Sequence, residues 1–471
     1  MEYSIVNYRN VRVMTDDFRI DADYFRSKYL KEDRERDHFK NIRIGDFCYV
    51  TDGQHGYHEV DENSPIFHLT AKNAKGWFAN TENADRLAKW VDEKNKRSSL
   101  KERDLILSTR GTVGLCAIVN KEALPSNIDQ DVARIAVNAN SEIVPEFLLA
   151  YLNSNFGQDW LLRNTSGMVQ QGLPLDKVRG VPIPLVSSEF QKKCKHIIEA
   201  GYKALRHSEN LYFKAEEAVL SELGLLNWKP KHCLSFIKKY SDTKASGRID
   251  AEYFQPKYDE VVDRIKQYKK GYKSLAEIVK VKDKNFQPKD DVPYRYIELA
   301  NISANGNING FIEALGKELP TRARRKVNAE DVIVSTIEGS LSSIALITKD
   351  LDDTLCSTGF FVVNSEEINS ETLLVLLKSP IGQLQLKKGC SGTILTAIGD
   401  DKFKRVILPD LPADIQSNIK KKITEMYNAK ALSKRLLDIA KRGVEMAIED
   451  SEKDAQKWID AELKKLNVHL D

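Results

Sequence analysis

The sequence predicts an α+β protein with two pseudo-repeated mixed α/β domains separated by two long antiparallel helices in a coiled coil. Three observations carry this. Residues 19–29 (RIDADYFRSKY) return as residues 248–258 (RIDAEYFQPKY), eight of eleven positions being identical. An offset of 225 then links LLAYLNSNFGQ from Leu148 to LLVLLKSPIGQ from Leu373, and Val181, Pro184, Gln191, Tyr202 and Leu211 to Val406, Pro409, Gln416, Tyr427 and Leu436. Each copy also ends in a proline-free stretch of helical period, so the unit is a tandem duplicate about 230 residues long.

The order of elements follows from local pattern. DLILSTRGTVGLCAIV and ARIAVN in the first copy, and DVIVSTIEGSLSSIALIT and GFFVVN in the second, are short apolar runs bounded by turn residues and read as strands. EFLLAYLNSNFGQDWLLRN and ETLLVLLKSPIGQLQLKK read as helices inside the mixed domains. From Ser188, apolar residues fall in seven-spaced columns, Ile197, Ala204, Leu211 and Ala218 beside Ile198, Leu205, Tyr212 and Val219. A second seam carries Ile419, Ile423, Met426, Leu436, Ala440, Val444 and Ala447. The expected organisation is residues 1–187 and 233–411 as mixed domains, 188–232 as a central long helix with its linker, and 412–471 as a C-terminal long helix.

Between the anchors the halves diverge. Residues 46–103 and 275–330 share almost nothing, so one scaffold presents two different faces. Net charge is uninformative: Lys+Arg 72 against Asp+Glu 69 leaves +3, and a nucleic-acid surface would have to be a local basic patch. The six cysteines include no C-x-x-C pair, which argues against a zinc ribbon and a disulfide framework. No apolar run approaches the roughly 20 residues needed to span a bilayer, and no apolar core follows a basic start, so a cytoplasmic location is expected.

Catalytic signatures are missing. There is no Pro-Pro for a DNA methyltransferase motif, no G-x-x-x-x-G-K-S/T loop, no G-x-S-x-G elbow and no H-E-x-x-H pair.

SGMVQQGLPLDKVRGVPIPLVSSEFQKK (166–193) and SGTILTAIGDDKFKRVILPDLPADIQSNIKKK (391–422) each place a Ser-Gly loop before a Val-Pro or Val-Ile strand and a long helix. Given twice in one chain, this order resembles the specificity subunits of type I restriction-modification systems. The second copy departs from it, with Val-Ile-Leu-Pro-Asp for Val-Pro-Ile-Pro-Leu and no glutamine pair. The resemblance implies two target-recognition domains, each reading one half of a bipartite site in double-stranded DNA. It further implies helices that space the domains and dock two methyltransferase subunits, with restriction subunits as further partners. It implies no catalysis and no cofactor in this chain, S-adenosylmethionine being expected in the methyltransferase. A stand-alone type II endonuclease and a non-DNA scaffold are the competing readings.

Base edges and phosphates call for Arg, Lys, Gln, Ser and Thr on loops. In the first domain the candidates are Ser108, Thr109 and Arg110 in a turn after a strand, Gln170 and Gln171, and Lys177 and Arg179. In the second they are Arg322, Arg324, Arg325 and Lys326, a dense basic run, with Thr393, Lys402 and Lys404. Arg295, between two tyrosines, suits edge packing or readout. His55 and His58 with Glu59 and Asp61 suggest a metal by composition, but their spacing makes no site and none is expected there. Arg19, Asp21, Tyr24 and Phe25, repeated as Arg248, Asp250, Tyr253 and Phe254, are retained where surfaces diverge. They are expected to form a structural joint to the helix pair or a partner contact.

Overall fold

A computed structural model describes residues 5–14, 19–166, 172–303, 306–392 and 396–470. It divides into two compact units, Met1–Leu205 with Lys430–Asp471, and Arg206–Ala429. The long helices Ser188–Glu222 and Ala413–Glu449 each contribute residues to both units.

In the first unit, β1 (Asn41–Arg43) pairs antiparallel with β9 (Pro182–Pro184). An antiparallel sheet runs β2 (Cys48–Asp52), β8 (Val132–Val137), β5 (Leu105–Ser108), β6 (Cys116–Ile118). A second sheet runs β4 (Asp85–Arg86), β3 (Phe67–Leu69), β7 (Ser126–Ile128), its β3–β7 pair parallel. The central strand β5 is buried on both faces. Leu105 and Leu107 join the large core under the helices, whereas Ile106 joins Leu69, Ala117, Ile128 and Val132 in a smaller core. Two buried faces explain why its sequence is a continuous apolar run.

The second unit repeats the plan. The strands β10 (Tyr272–Ser274) and β21 (Ile407–Pro409) pair, as do β19 (Cys390–Ser391) and β20 (Ala397–Ile398). One sheet runs β11 (Lys280–Val281), β18 (Phe360–Asn364), β15 (Val332–Ser335), β16 (Ile344–Leu346). The other runs β13 (Ile312–Leu315), β12 (Pro293–Ile297), β17 (Thr354–Ser357), β14 (Ala323–Val327), again with one parallel pair, β12–β17. Its extra edge strand β14 is built from the basic run ARRKV.

Each helix expected inside a mixed domain is two helices broken at a serine: Pro145–Asn153 and Asn155–Arg163, then Ser370–Lys378 and Pro380–Gly389. Ser154 caps the second of the first pair by accepting from Gly157 N, and Pro380 opens the second helix of the other. A Cβ on Gly157 would lie 2.2 Å from the Tyr151 carbonyl oxygen, and one on Gly382 2.5 Å from the Leu377 Cα. Glycine is therefore required where the helices turn against each other. The next residue locks the corner in both copies. Gln158 donates to the Gly114 and Leu152 carbonyls, and Gln383 to those of Leu341 and Leu377.

The long helices run antiparallel within the first unit. Ser433 Oγ donates to the Gly201 carbonyl at 2.7 Å, and the Ser187 amide donates to Glu452 at 3.0 Å. The buried line on the first helix is Cys194, Ile197, Ile198, Gly201, Ser208, Leu211, Tyr212, Ala215 and Val219, with Ala204, Leu205 and Ala218 only half-buried. A seven-residue column drifts about 20° per heptad on a straight helix, which moves the contact line off Ala204 and Ala218. In the second unit Leu211, Tyr212, Ala215 and Val219 share a core with Ile419, Ile423 and Met426.

The C-terminal helix does not continue to 471. Ser451 takes an extended conformation and its Oγ accepts from Asp454 N, starting a new helix, Glu452–Lys465. Ile459 of that helix rests against Gly443, where a Cβ would meet its Cδ1 at 2.6 Å.

Candidate nucleic-acid interface

At the end of β5 the chain leaves the core in a tight turn. Ser108 is fully buried and its hydroxyl binds the Thr112 carbonyl and the Leu115 amide, while Gly111 and Gly114 take positive φ. Thr109 is also buried and acts through its backbone, accepting from Leu173 N and donating to Asp131 O. These two hold the turn. Arg110 is the residue it presents, half its side chain exposed and loosely paired with Asp131 at 3.3 Å.

Ser166 and Gly172 exchange backbone hydrogen bonds of 2.9 and 2.8 Å, and Gly172 also bridges to Arg110. The neck of the Ser-Gly loop thus closes beside Arg110. Gln170 and Gln171 lie outside the described residues. Lys177 is half-buried in the helix Leu175–Gly180, and Arg179 of that helix donates to the Val50 carbonyl at 2.8 Å.

The second unit repeats the frame with different side chains. Ile398 N donates to Thr336 O and Glu338 N to Thr396 O, so Thr336 takes the place of Thr109. Ile337 and Glu338 then stand where the first unit has Arg110 and Gly111. Thr393 lies outside the described residues. Lys402 is exposed, and Lys404 pairs with Asp400 at 2.6 Å.

The basic run lies along β14. Arg322 is exposed, Arg324 donates to the Thr321 carbonyl, and Lys326 pairs with Asp353 beside the Phe286 ring. Arg325 is half-buried with Nη1 sealed and without a hydrogen-bond partner among the described residues. Arg295 donates to the Asp350 and Asp352 carbonyls, which braces a turn.

The repeated R-I-D-A-x-Y-F segments sit against their own domains. Arg19 pairs with Asp21 and donates to the Arg163 carbonyl at 2.9 Å, and the Asp21 carboxylate caps Tyr24 N. Arg248 does the same with Asp250 and the Cys390 carbonyl, and Asp250 caps Tyr253 N. A cation covers each tyrosine ring, Arg163 over Tyr24 at 4.0 Å and Lys388 over Tyr253 at 5.3 Å. Phe25 and Phe254 are buried. Each segment thus clasps the end of the broken helix pair in its own unit. The Arg19 bond, by favouring the charged carboxylate, contributes to holding Asp21 below the usual range, against burial as the largest and opposing influence.

Of the four residues singled out near His55, three are already engaged. His55 binds Asp52 at 2.7 Å, Glu59 accepts from Trp90 Nε1 at 3.1 Å, and Asp61 caps Asn63 N. His58 instead meets His68 and Asp85.

Residues 36–212, which contain both sheets of the first unit, the Arg110 turn and the loop neck, match the sequence model of the type I restriction modification DNA specificity domain. The likeness to that domain rests on this stretch, which is less than half of the chain. The chain is 31% identical over 114 residues to the EcoBI specificity subunit of Escherichia coli, spanning about a quarter (24%) of the length of that curated relative and 24% of its own. It is similar to a type I restriction-modification S subunit from M. genitalium, at 12% identity over 87% of this chain and 95% of that one with a TM-score of 0.40. It is also similar to the HsdS subunit from Thermoanaerobacter tengcongensis, at 14% identity over 88% and 97% with a TM-score of 0.28. Among the described residues, no helix is long and apolar enough to cross a membrane.

A repeated surface feature is not apparent from the sequence pattern. Ile5, Tyr8 and Ile20 are exposed by 90, 68 and 78%, and at a constant offset of 229 Leu234, Ile237 and Ile249 are exposed by 98, 97 and 91%. The signal was available, because the R-I-D-A match already sets that register, but exposure is not written in composition.

Proposed function

We propose that the chain reads a bipartite, asymmetric site in double-stranded DNA, one unit per half-site, and that methyltransferase subunits bearing S-adenosylmethionine dock on it and perform the chemistry. The observation that carries this reading is one strand order and one loop neck built twice, with Arg110 at the turn in one unit and Ile337–Glu338 in the other. Such heads select unlike half-sites, since an arginine donates to guanine edges or phosphate whereas an acidic turn repels phosphate. In the second unit the basic edge strand β14, with Arg322 before it, is the phosphate-facing candidate.

The repeated exposed triplets, Ile5/Tyr8/Ile20 and Leu234/Ile237/Ile249, are the proposed seats for two copies of one partner. Exposed apolar side chains retained at equivalent positions while the heads diverge suit a partner that is the same on both sides.

Co-expression with the cognate methyltransferase subunit should yield N6-methyladenine at one bipartite motif, and swapping residues 46–180 should change one half of it. A swap that alters both halves, or neither, overturns the reading. Cleavage of duplex DNA by the isolated chain with a divalent ion would instead make it a type II endonuclease. Indifference to duplex DNA in the presence of the methyltransferase would leave only a scaffold.

A further inference from the structure

We propose that His58, His68 and Asp85 form a binding site for one divalent transition-metal ion of the Zn2+ type. One ligand atom from each residue lies within 4.8 Å of the other two. The fold brings them there from three places. His68 on β3 is directly opposite Asp85 on β4, and the segment after β2 returns His58 to them, its ring centroid 3.9 Å from that of His68.

His68 points to a ligand independently of this clustering. It is 97% buried, being 3% exposed, and its Nδ1 is sealed from solvent with no hydrogen-bond partner among the described residues. A buried imidazole nitrogen without a partner is costly, and native interiors rarely leave one. A metal ion, or a water held by one, would satisfy such a group.

Two imidazoles and a carboxylate are the donor set of Zn2+ and its neighbours, whereas Ca2+ and Mg2+ take oxygen. Metal–ligand bonds of about 2 Å in a tetrahedron put donors roughly 3.3 Å apart. The cluster must therefore contract slightly. His58 is half-buried and Asp85 exposed, so both can close on a fixed His68. Three protein ligands leave a fourth position for water. The ion would pin the segment between β2 and β3 to the small sheet.

The second unit supplies an internal control. Its parallel strand pair puts Tyr296 opposite Leu355 where the first unit has His68 opposite Asn127, and Ile312 faces Tyr296 where Asp85 faces His68. Neither residue is a ligand of this kind, so the stoichiometry is one ion per chain.

The test uses the full chain without a histidine tag, stripped with chelator and titrated with Co2+, then Zn2+. The expected result is one equivalent of Co2+ with visible d–d absorption, no thiolate charge-transfer band, and displacement by Zn2+. His58→Ala and Asp85→Asn should each weaken binding at least about tenfold. Both should leave the far-UV circular dichroism and melting of the metal-free protein unchanged, since neither side chain is fully buried. Absence of saturable binding, a thiolate band, or wild-type affinity in the double variant would each overturn the assignment. DNA binding is not a readout, so this outcome is separate from that of the proposed function.

Discussion

The same helix packs on the same corner in both units, but by opposite chemistry. In the first unit, Ser27–Arg36 faces the broken helix pair through charge. Asp33, 9% exposed, binds Arg163 at 2.7 Å and also Arg36, while the buried Tyr151 hydroxyl donates to the Pro182 carbonyl at 2.8 Å. In the second, the register of the repeat replaces Glu32, Asp33 and Arg36 by Val261, Val262 and Ile265, and Tyr151 by Leu376; Val261, Ile265 and Leu376 are fully buried. The cation there, Lys388, moves out to Asp259 at the partly exposed edge. A position in a duplicated fold thus demands volume and complementarity rather than a residue type. Ionic and apolar solutions both fill it, but they fail differently.

The largest expected effect breaks the ionic version. Asp33→Ala leaves Arg36 and Arg163 buried without their acid and should cost about 3–5 kcal/mol in denaturant unfolding. Grafting the second unit's set (Leu30→Asp, Glu32→Val, Asp33→Val, Arg36→Ile, Tyr151→Leu, Arg163→Lys) should be neutral or stabilising, because apolar replacement removes the desolvation cost of the whole cluster. A graft as damaging as the single substitution would show that the two corners are not equivalent.

Next come the shared corners. Gly157→Ala and Gly382→Ala each drive a Cβ into backbone and should cost about 1–3 kcal/mol apiece by thermal unfolding. Similar losses are expected in both units, since this feature is backbone geometry and not side-chain chemistry.

The pH response should separate the units more gently. Burial and the neighbouring Asp159 carboxyl push Glu32 up to about 8. A carboxyl whose folded pKa exceeds its unfolded value contributes stability that is full below about pH 4.5 and lost as pH rises through about 8. Glu32→Gln should flatten stability across that window. An unchanged slope would place the titration elsewhere, and Val261 supplies no such group in the second unit.

The smallest effect on stability should come from the exposed triplets. Ile5→Ser with Ile20→Ser, or Leu234→Ser with Ile249→Ser, should change stability by no more than about 0.5 kcal/mol. Each pair should remove one of two methyltransferase subunits on size-exclusion chromatography with light scattering. Retention of both subunits in the combined variant would move the docking surface elsewhere.

Much of the fold was legible because it rests on local periodicity and on a repeat that exposes its own register. Strand runs such as Leu105–Ser108 and the seam from Ile419 to Ala447 follow from short apolar runs and helical spacing alone. The breaks at Ser154, Ser379 and Ser451 were not legible, because the apolar pattern continues across the first two and the last needs the Gly443–Ile459 contact to show itself. At the candidate interface, Arg110 was found as a turn residue beside glycine. That Ser108 and Thr109 hold that turn from inside required knowing which groups are buried.

What the sequence by itself determined is the duplication, the long helices and the divergence of the heads, since identity at fixed offset and apolar period are properties of a string. What only the tertiary structure decided is which side chains meet. His58, His68 and Asp85 converge, and Arg163 finds Asp33 130 residues away, because strand pairing and helix packing join distant positions at contact range, where charge, hydrogen bonding and coordination act.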